Sequence, residues 1–174
     1  MKTKITISAI LFFVLIFNGF SQEKSKKQIK EERKIEQQKQ IEAMINAKEF
    51  VFVGRTALPT GYNSVNLATN PNYVKFHPEM IESYMPYFGR AYSGVGYGGD
   101  QGLKFEGKPE PYTFKKEKKN FQVEAKVKGG NDLFTISLYV GFEGDATLTI
   151  ASNNRSSISY QGEISAPEEP KEKK

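Results

Sequence analysis

Between Phe121 and Ile164 the chain alternates apolar and polar positions with short interruptions. Phe121, Val123, Ala125 and Val127 alternate with Gln122, Glu124, Lys126 and Lys128, which predicts a strand with one buried and one wet face. Gly129-Gly130-Asn131 then turns the chain. Phe134, Ile136, Leu138, Val140 and Phe142 share one face of the next strand, and Gly144-Asp145 makes a tight turn into Ala146, Leu148 and Ile150. Asn153-Asn154 can take the positive φ of a hairpin turn before Ile158, Tyr160 and Ile164. Three antiparallel strands in succession predict a C-terminal meander.

The first half is less regular. Phe50 to Val53 is a continuous apolar run, the pattern of a strand buried on both faces, and Leu58-Pro59-Thr60-Gly61 reads as a turn. Asn70-Pro71-Asn72 makes another turn. In Tyr73 to Phe76, Val74 and Phe76 alternate with Lys75, which predicts a strand that His77-Pro78 ends, because proline cannot donate to a sheet ladder. Glu79 to Met85 fits one helical turn or extended chain equally well. Leu103 and Phe105 alternate with Lys104 and Glu106, and Pro109 and Pro111 break the chain before Tyr112, Phe114 and Lys116, which suggests two short strands.

Ahead of these strands, Glu23 to Lys48 is built almost wholly of strong helix formers with interleaved charges, and a helix is predicted. Ile29, Ile35 and Ile41 do not keep to one helical face, whereas Ile41, Met44, Ile45 and Lys48 follow the i, i+3, i+4, i+7 spacing. Only the last two or three turns are expected to dock, with a solvated helix before Gln38; the segment lacks the heptads of a coiled coil. The fold expected is mainly β (α+β): one N-terminal helix and an antiparallel sheet of about seven to nine short strands, curled into a sandwich or partly open barrel. The pattern leaves open whether the helix covers a sheet face or extends outward.

Lys2 and Lys4 precede an apolar run from Ile5 to Phe17, followed by Gly19 and Ser21. This reads as a secretory signal peptide over residues 1–21, too short in its apolar run for a membrane span, so no transmembrane segment is expected after cleavage. Residues 22–48 then form the charged helical segment and 49–165 a single β-rich domain; 166–174, charged and proline-bearing, reads as a disordered tail. Export places the chain in the periplasm or outside the cell. It has no cysteine, so lipid attachment through a lipobox, disulfides, a cysteine nucleophile and thiolate metal ligands are all ruled out. The formal net charge of +5, part of it on Lys2 and Lys4, is too small to argue for nucleic acid.

One stretch concentrates unusual chemistry. Tyr84 to Asp100, Y-M-P-Y-F-G-R-A-Y-S-G-V-G-Y-G-G-D, holds Tyr84, Tyr87, Phe88, Tyr92 and Tyr97 around a single arginine, Arg90. In a strand, Phe88, Arg90 and Tyr92 share a face, so the guanidinium can stack on a ring and spend its remaining donors on carbonyls or a carboxylate. Two uses follow. The group is an internal clasp fixing the glycine-rich loop, or it is an exposed aromatic and arginine platform for a glycan, peptide or anionic headgroup. Gly94, Gly96 and Gly99 match G-x-G-x-x-G, but no helix opens on the last glycine, and a dinucleotide needs one.

His77 is the only histidine, with no sign of the convergent partners a triad or zinc site requires. Glu79, Glu82, Asp100 and Glu106 could pair in space for glycoside hydrolysis, which the sequence alone does not show. No catalytic constellation, cofactor site or metal site is therefore expected. The function predicted is a non-enzymatic exported envelope domain with a binding or structural role. The alternatives are glycan or small-ligand binding through residues 84–97 and a carboxylate-based hydrolase. A glycan or an envelope protein is the expected kind of partner.

The segments M-P-Y-F-G-R-A-Y-S at Met85 to Ser93, G-L-K-F at Gly102 to Phe105 and N-R-S-S-I-S-Y-Q-G at Asn154 to Gly162 resemble an exported Bacteroidota family known as domain of unknown function 4251. The resemblance spans roughly Glu49 to Ile164. Met85 and the G-V-G-Y-G after Ser93 depart from the family's pattern. The resemblance implies an envelope location in a Gram-negative bacterium and brings no activity, cofactor or site residue. Within the third segment, a structural use for the last strand is pairing with Phe88 to Tyr92.

Overall fold

The alternating segments pair mostly with their neighbours in sequence. The computed structural model describes residues 25–69, 71–92 and 102–167; the expected signal peptide, Tyr97, Asp100, the glycine triplet and most of the expected tail lie outside them. One helix, α1 (Lys26–Ala47), precedes ten strands: β1 (Phe50–Pro59), β2 (Val65–Asn66), β3 (Tyr73–Phe76), β4 (Ile81–Met85), β5 (Leu103–Gly107), β6 (Pro109–Lys116), β7 (Asn120–Gly129), β8 (Asp132–Gly141), β9 (Asp145–Ser152) and β10 (Ile158–Ser165). They form one antiparallel sheet in the order β5-β4-β3-β1-β10-β9-β8-β7-β6, with β2 added to β1.

The two ends of that path are consecutive in sequence. Only Lys108 separates β5 from β6, so one bent ribbon pairs with β4 through Ile81↔Gly107 and with β7 through Pro109↔Val127. The sheet thereby curls into a nearly closed barrel. Where β5 approaches β8, Phe105 stacks on Phe134 with ring centroids 4.0 Å apart. Phe50 stacks likewise on Phe76 across β1 and β3, at 4.3 Å. Phe50, Phe52, Phe76, Phe121, Ile136, Leu138, Leu148 and Tyr160 are fully buried inside. Each such side chain contributes about 1.5–3 kcal/mol of transfer free energy, which is how a chain without disulfides holds its core.

β1 corrects two expectations. Its burial alternates, with Phe50 and Phe52 inward and Val51 and Val53 outward, so it is not buried on both faces. It also runs on through Leu58 and Pro59; the turn comes at Thr60 to Tyr62, where Gly61 takes φ 81°. Between Gly54 and Thr56 the register with β10 slips, a β-bulge that kinks the strand. Glu79 to Met85 resolves as strand β4. Ser83 occupies an inward position there, its hydroxyl donating to the Leu103 carbonyl at 2.9 Å. β6 starts at Pro109, its prolines tolerated because β6 ends the hydrogen-bonded path. The β9–β10 connection is wider than a tight hairpin, running from Asn153 to Ser157.

The chain divides between Arg33 and Lys34 into two units. The described part of the first opens with a capping box: Ser25 Oγ accepts from the Gln28 N–H at 3.3 Å, and Gln28 Oε1 accepts from the Ser25 N–H at 2.9 Å. In the second unit, Ile41 and Ile45 are buried, whereas Ile35 is exposed. The Tyr112 hydroxyl donates to the Ile45 carbonyl at 3.0 Å, and Lys116 pairs with Glu42 at 2.6 Å. Contact begins a turn earlier than Gln38: Lys34 and Gln37 both reach Glu143 in the β8–β9 turn. From Lys34 onward the helix thus packs on the barrel. It stops in a Schellman motif, with Glu49 N–H on the Met44 carbonyl, Lys48 N–H on the Ile45 carbonyl, and Lys48 at φ 59°.

Candidate functional site

The aromatic stretch begins inside β4 and leaves the sheet at Pro86. From there its residues part company. Tyr87 turns inward and is buried, Phe88 is partly buried against the core, and Arg90 and Tyr92 are exposed, Tyr92 with 69% of its surface open. Tyr84 faces outward from β4.

Tyr87 holds the segment in place. Its hydroxyl lies 2.7 Å from the Arg90 carbonyl, 3.0 Å from the Ser156 carbonyl and 2.8 Å from Ser156 Oγ. A phenol has one proton, so it donates to a carbonyl and accepts from the serine. Ser156 Oγ in turn accepts from the Arg90 N–H at 3.1 Å. Around this relay the backbone forms a short antiparallel bridge, Ala91↔Arg155, with Tyr92 N–H on the Asn154 carbonyl at 2.8 Å and Ser156 N–H on the Arg90 carbonyl at 2.9 Å. The stretch therefore pairs with Asn154 to Ser156, immediately before β10, and not with the last strand itself. A Cβ added at Gly89 would fall on the Tyr87 hydroxyl and within 2.7 Å of Ser156 Oγ, so only glycine fits there.

The arginine over a ring is Arg155, not Arg90. Its guanidinium lies 5.3 Å from the Tyr87 ring centroid, and its Nη1 donates to the Gly102 carbonyl at 2.8 Å. It thereby ties Gly102, just ahead of β5, to Tyr87. Beneath, the Tyr160 hydroxyl, fully buried, donates to the Pro86 carbonyl at 2.7 Å. Burial pushes the Tyr160 phenol far above its ordinary range, so it stays a neutral donor.

With its main chain fixed, Arg90 projects its side chain outward. Nε donates to the hydroxyl of Tyr62, in the turn after β1, at 3.4 Å. That hydrogen bond, foremost, raises the guanidinium above its ordinary value, so it is cationic at any working pH. Thr60 binds the same turn to the β9–β10 connection through the Ser157 carbonyl at 3.0 Å. Three connections thus converge at one end of the barrel and expose Tyr62, Arg90 and Tyr92. Two tyrosines beside a fixed guanidinium can stack on a flat or ring-shaped ligand and hold an anionic group.

Tyr84 belongs elsewhere. On the outer face of β3–β5 it stacks on Tyr73 at 5.8 Å, and the Lys104 ammonium sits 4.2 Å from its ring centroid. On that face the register sets Glu82 opposite Glu106. Glu82 accepts from the Tyr73 hydroxyl at 2.6 Å and from Lys75 at 3.4 Å. The Tyr73 hydrogen bond chiefly holds its carboxyl below the usual range, the opposite of what a general acid needs. Glu79 lies beside Lys108. His77 caps the β3–β4 turn through backbone bonds to Met80. Among the described residues no group of three or more His, Asp or Glu side chains is placed to hold a metal ion, and no helix is long and apolar enough to cross a membrane. An open depression of about 540 Å³ lies at the β1 bulge, bordered by Arg55, Asn66, Leu67 and Asn72; Arg55 pairs there with Glu163.

The site residues that sequence reasoning passed over are Tyr62, Arg155, Ser156 and Tyr160. Each meets the stretch from a distant part of the chain; the N-R-S-S-I-S-Y segment was the one signal for the last three.

A search of curated proteins finds no match. Among solved structures, the chain is similar to a crystal structure at 1.95 Å resolution of a DUF4251 family protein from Bacteroides eggerthii DSM 20697. The identity is 18%, covering 75% of this chain and 87% of that one, with a TM-score of 0.58. At that identity the likeness is one of fold. The family model described as "Domain of unknown function (DUF4251)" matches residues 32–164, which takes in the docked turns of α1, β1 to β9, all but the last residue of β10, and the whole clasp. The chain belongs to the DUF4251 family.

Proposed function

We propose that this chain is a non-catalytic domain, exported to the periplasm or cell exterior, that binds a glycan or small ligand bearing an anionic group through Tyr62, Arg90 and Tyr92. One observation carries the reading. The backbone of Arg90 is locked by Tyr87 and Ser156, while its guanidinium is displayed at the surface on the Tyr62 hydroxyl. A core clasp would have used the side chain; this one uses the main chain and frees the side chain for contact. A pre-set guanidinium loses less conformational freedom when it meets a carboxylate or sulfate than a mobile one does. Export is supported by Lys2 and Lys4 ahead of the Ile5–Phe17 run, with Gly19 and Ser21 after it.

The test is an array of uronate- and sulfate-bearing oligosaccharides probed with the wild-type chain and with Arg90→Ala. Binding of at least one oligosaccharide by wild type, weakened about tenfold or more in R90A at unchanged melting temperature, is the expected result. Equal binding by both proteins, or none by wild type, would overturn the reading. Fractionation of a Gram-negative host, with the mature N-terminus read by mass spectrometry, tests export; a chain still carrying residues 1–21 in the cytoplasm would contradict it.

A further inference from the structure

We infer that the outer face of β7–β10 is a second binding surface, for a neutral polysaccharide, centred on Tyr139. It is independent of the Arg90 site. The register places Gln122, Tyr139, Thr147 and Gln161 in one row across the four strands, and Ser137, Thr149 and Ser159 in the row beside it. The strands lie about 4.8 Å apart, so hydroxyl and amide groups form a regular lattice. A quarter of the chain is charged, yet none of these positions is. Charges begin on β7, where Glu124 stands opposite Ser137 and Lys126 follows, with Lys115 of β6 beyond Gln122 and Asp145 and Glu163 one row away.

Tyr139 is the one large exposed ring in this lattice, with 43% of its surface open. Among the described residues no cation or second ring is stacked on it, in contrast to Tyr84, which Lys104 and Tyr73 already occupy. Its orientation is set from the side: the Gln122 amide donates to the Tyr139 hydroxyl at 3.4 Å and to Glu124 at 2.8 Å. Thr149 and Ser159 share a hydrogen bond at 2.8 Å, which orients their hydroxyls and leaves further donor and acceptor capacity on the outer side.

A ring offering its face within a field of uncharged hydroxyl, amide and marginal carboxylate groups matches the chemistry of a sugar ring. Such a ring has one apolar C–H face and a rim of hydroxyls that both donate and accept. A protein partner fits less well, because a stable protein interface needs a contiguous apolar core of several anchors over about 800 Å² a side, and the exposed apolar side chains on β8, Tyr139 and Leu133, stand six residues apart. An ionic partner finds no charge at its centre.

The experiment is affinity electrophoresis of the full chain in gels containing laminarin, glucomannan, arabinoxylan or mannan, followed by calorimetric titration with any that retards it. Wild type is expected to be retarded by at least one of the four. Tyr139→Ala should weaken that binding about tenfold or more, and Tyr139→Phe, which keeps the ring, by no more than about threefold. R90A should bind as wild type does, which separates this site from the Arg90 site. Absence of retardation by all four, binding by Y139A within about twofold of wild type, or loss of binding in R90A would each overturn the inference.

Discussion

Replacing Tyr87 by Phe removes one oxygen and leaves the ring, and with it the packing against Arg155, in place. That oxygen sits within hydrogen-bond distance of the Arg90 carbonyl, the Ser156 carbonyl and Ser156 Oγ. Two of the three keep a partner without it: the Arg90 carbonyl still receives the Ser156 N–H, and Ser156 Oγ still receives the Arg90 N–H. The serine hydroxyl proton and the Ser156 carbonyl lose theirs, in a site where Tyr87 is only 9% exposed. One net hydrogen bond at about 1 kcal/mol and one stranded polar group at about 1–2 kcal/mol give an expected loss of about 2–3 kcal/mol. For a domain of this size that corresponds to a fall in melting temperature of roughly 6–12 °C. Calorimetry, with urea unfolding for the free energy, measures it. Arg90→Ala, at an exposed position, should stay within about 0.5 kcal/mol of wild type. A Y87F loss below about 0.5 kcal/mol, or an R90A loss as large as that of Y87F, would refute the assignment of the clasp to Tyr87 and the main chain.

Burial raises the phenols of Tyr160 and Tyr112 in the folded state. Their stabilising contribution is therefore complete below the ordinary tyrosine value of about 10 and is lost as pH climbs above it, by up to about 1.4 kcal/mol per pH unit for each group. Urea midpoints measured from pH 8 to 11.5 should fall less steeply above pH 10 in Tyr160→Phe than in wild type, and identical slopes would contradict this. Lys48 holds a left-handed conformation at φ 59° while its ammonium lies 4.8 Å from the Tyr112 ring centroid. Lys48→Gly should relieve about 1 kcal/mol of strain and forfeit about 0.5 kcal/mol of cation–π attraction, a small net gain in urea midpoint; a clear loss would contradict it. A Cβ at Gly162 would land on the Val53 carbonyl where β10 crosses β1. Gly162→Ala should cost more than about 3 kcal/mol or prevent folding, and a variant within about 1 kcal/mol of wild type would show that the strands can separate there.

The C-terminal strands were legible because each sets large apolar residues against charged or hydroxylated ones, and period two has no competing reading. β4 was not, because its inward positions are Ile81, Ser83 and Met85: a hydrogen-bonded serine at the centre erases the apolar signal. β1 misled in the opposite sense. Val51 and Val53 are apolar yet face outward, so a one-faced strand looked two-faced. Barrel closure was hidden for a different reason. Pro109 and Pro111 read as breaks, while in space they mark the corner where one ribbon changes sheet partners.

The same division holds at the site. Local sequence showed that Tyr84 to Tyr92 was special, because so many rings and glycines around one arginine have no ordinary strand or helix explanation. It could not show which arginine meets Tyr87. The partner is Arg155, brought in by the β9–β10 connection, and Ser156 comes with it. Helix docking was readable from Ile41, Met44 and Ile45 alone; its surface partners, Glu143 and Tyr112, required the fold.

The central claim is that Tyr87 builds a main-chain clasp that leaves Arg90 free to make contact. Amide hydrogen exchange at Tyr92 and Ser156 tests it most directly, since their N–H groups are donated to the Asn154 and Arg90 carbonyls. Both amides should be protected in wild type and should lose about thirtyfold or more of that protection in Y87F, the equivalent of about 2 kcal/mol, while β7–β9 amides change less. Unprotected Tyr92 and Ser156 amides in wild type, or full protection in Y87F, would contradict the account.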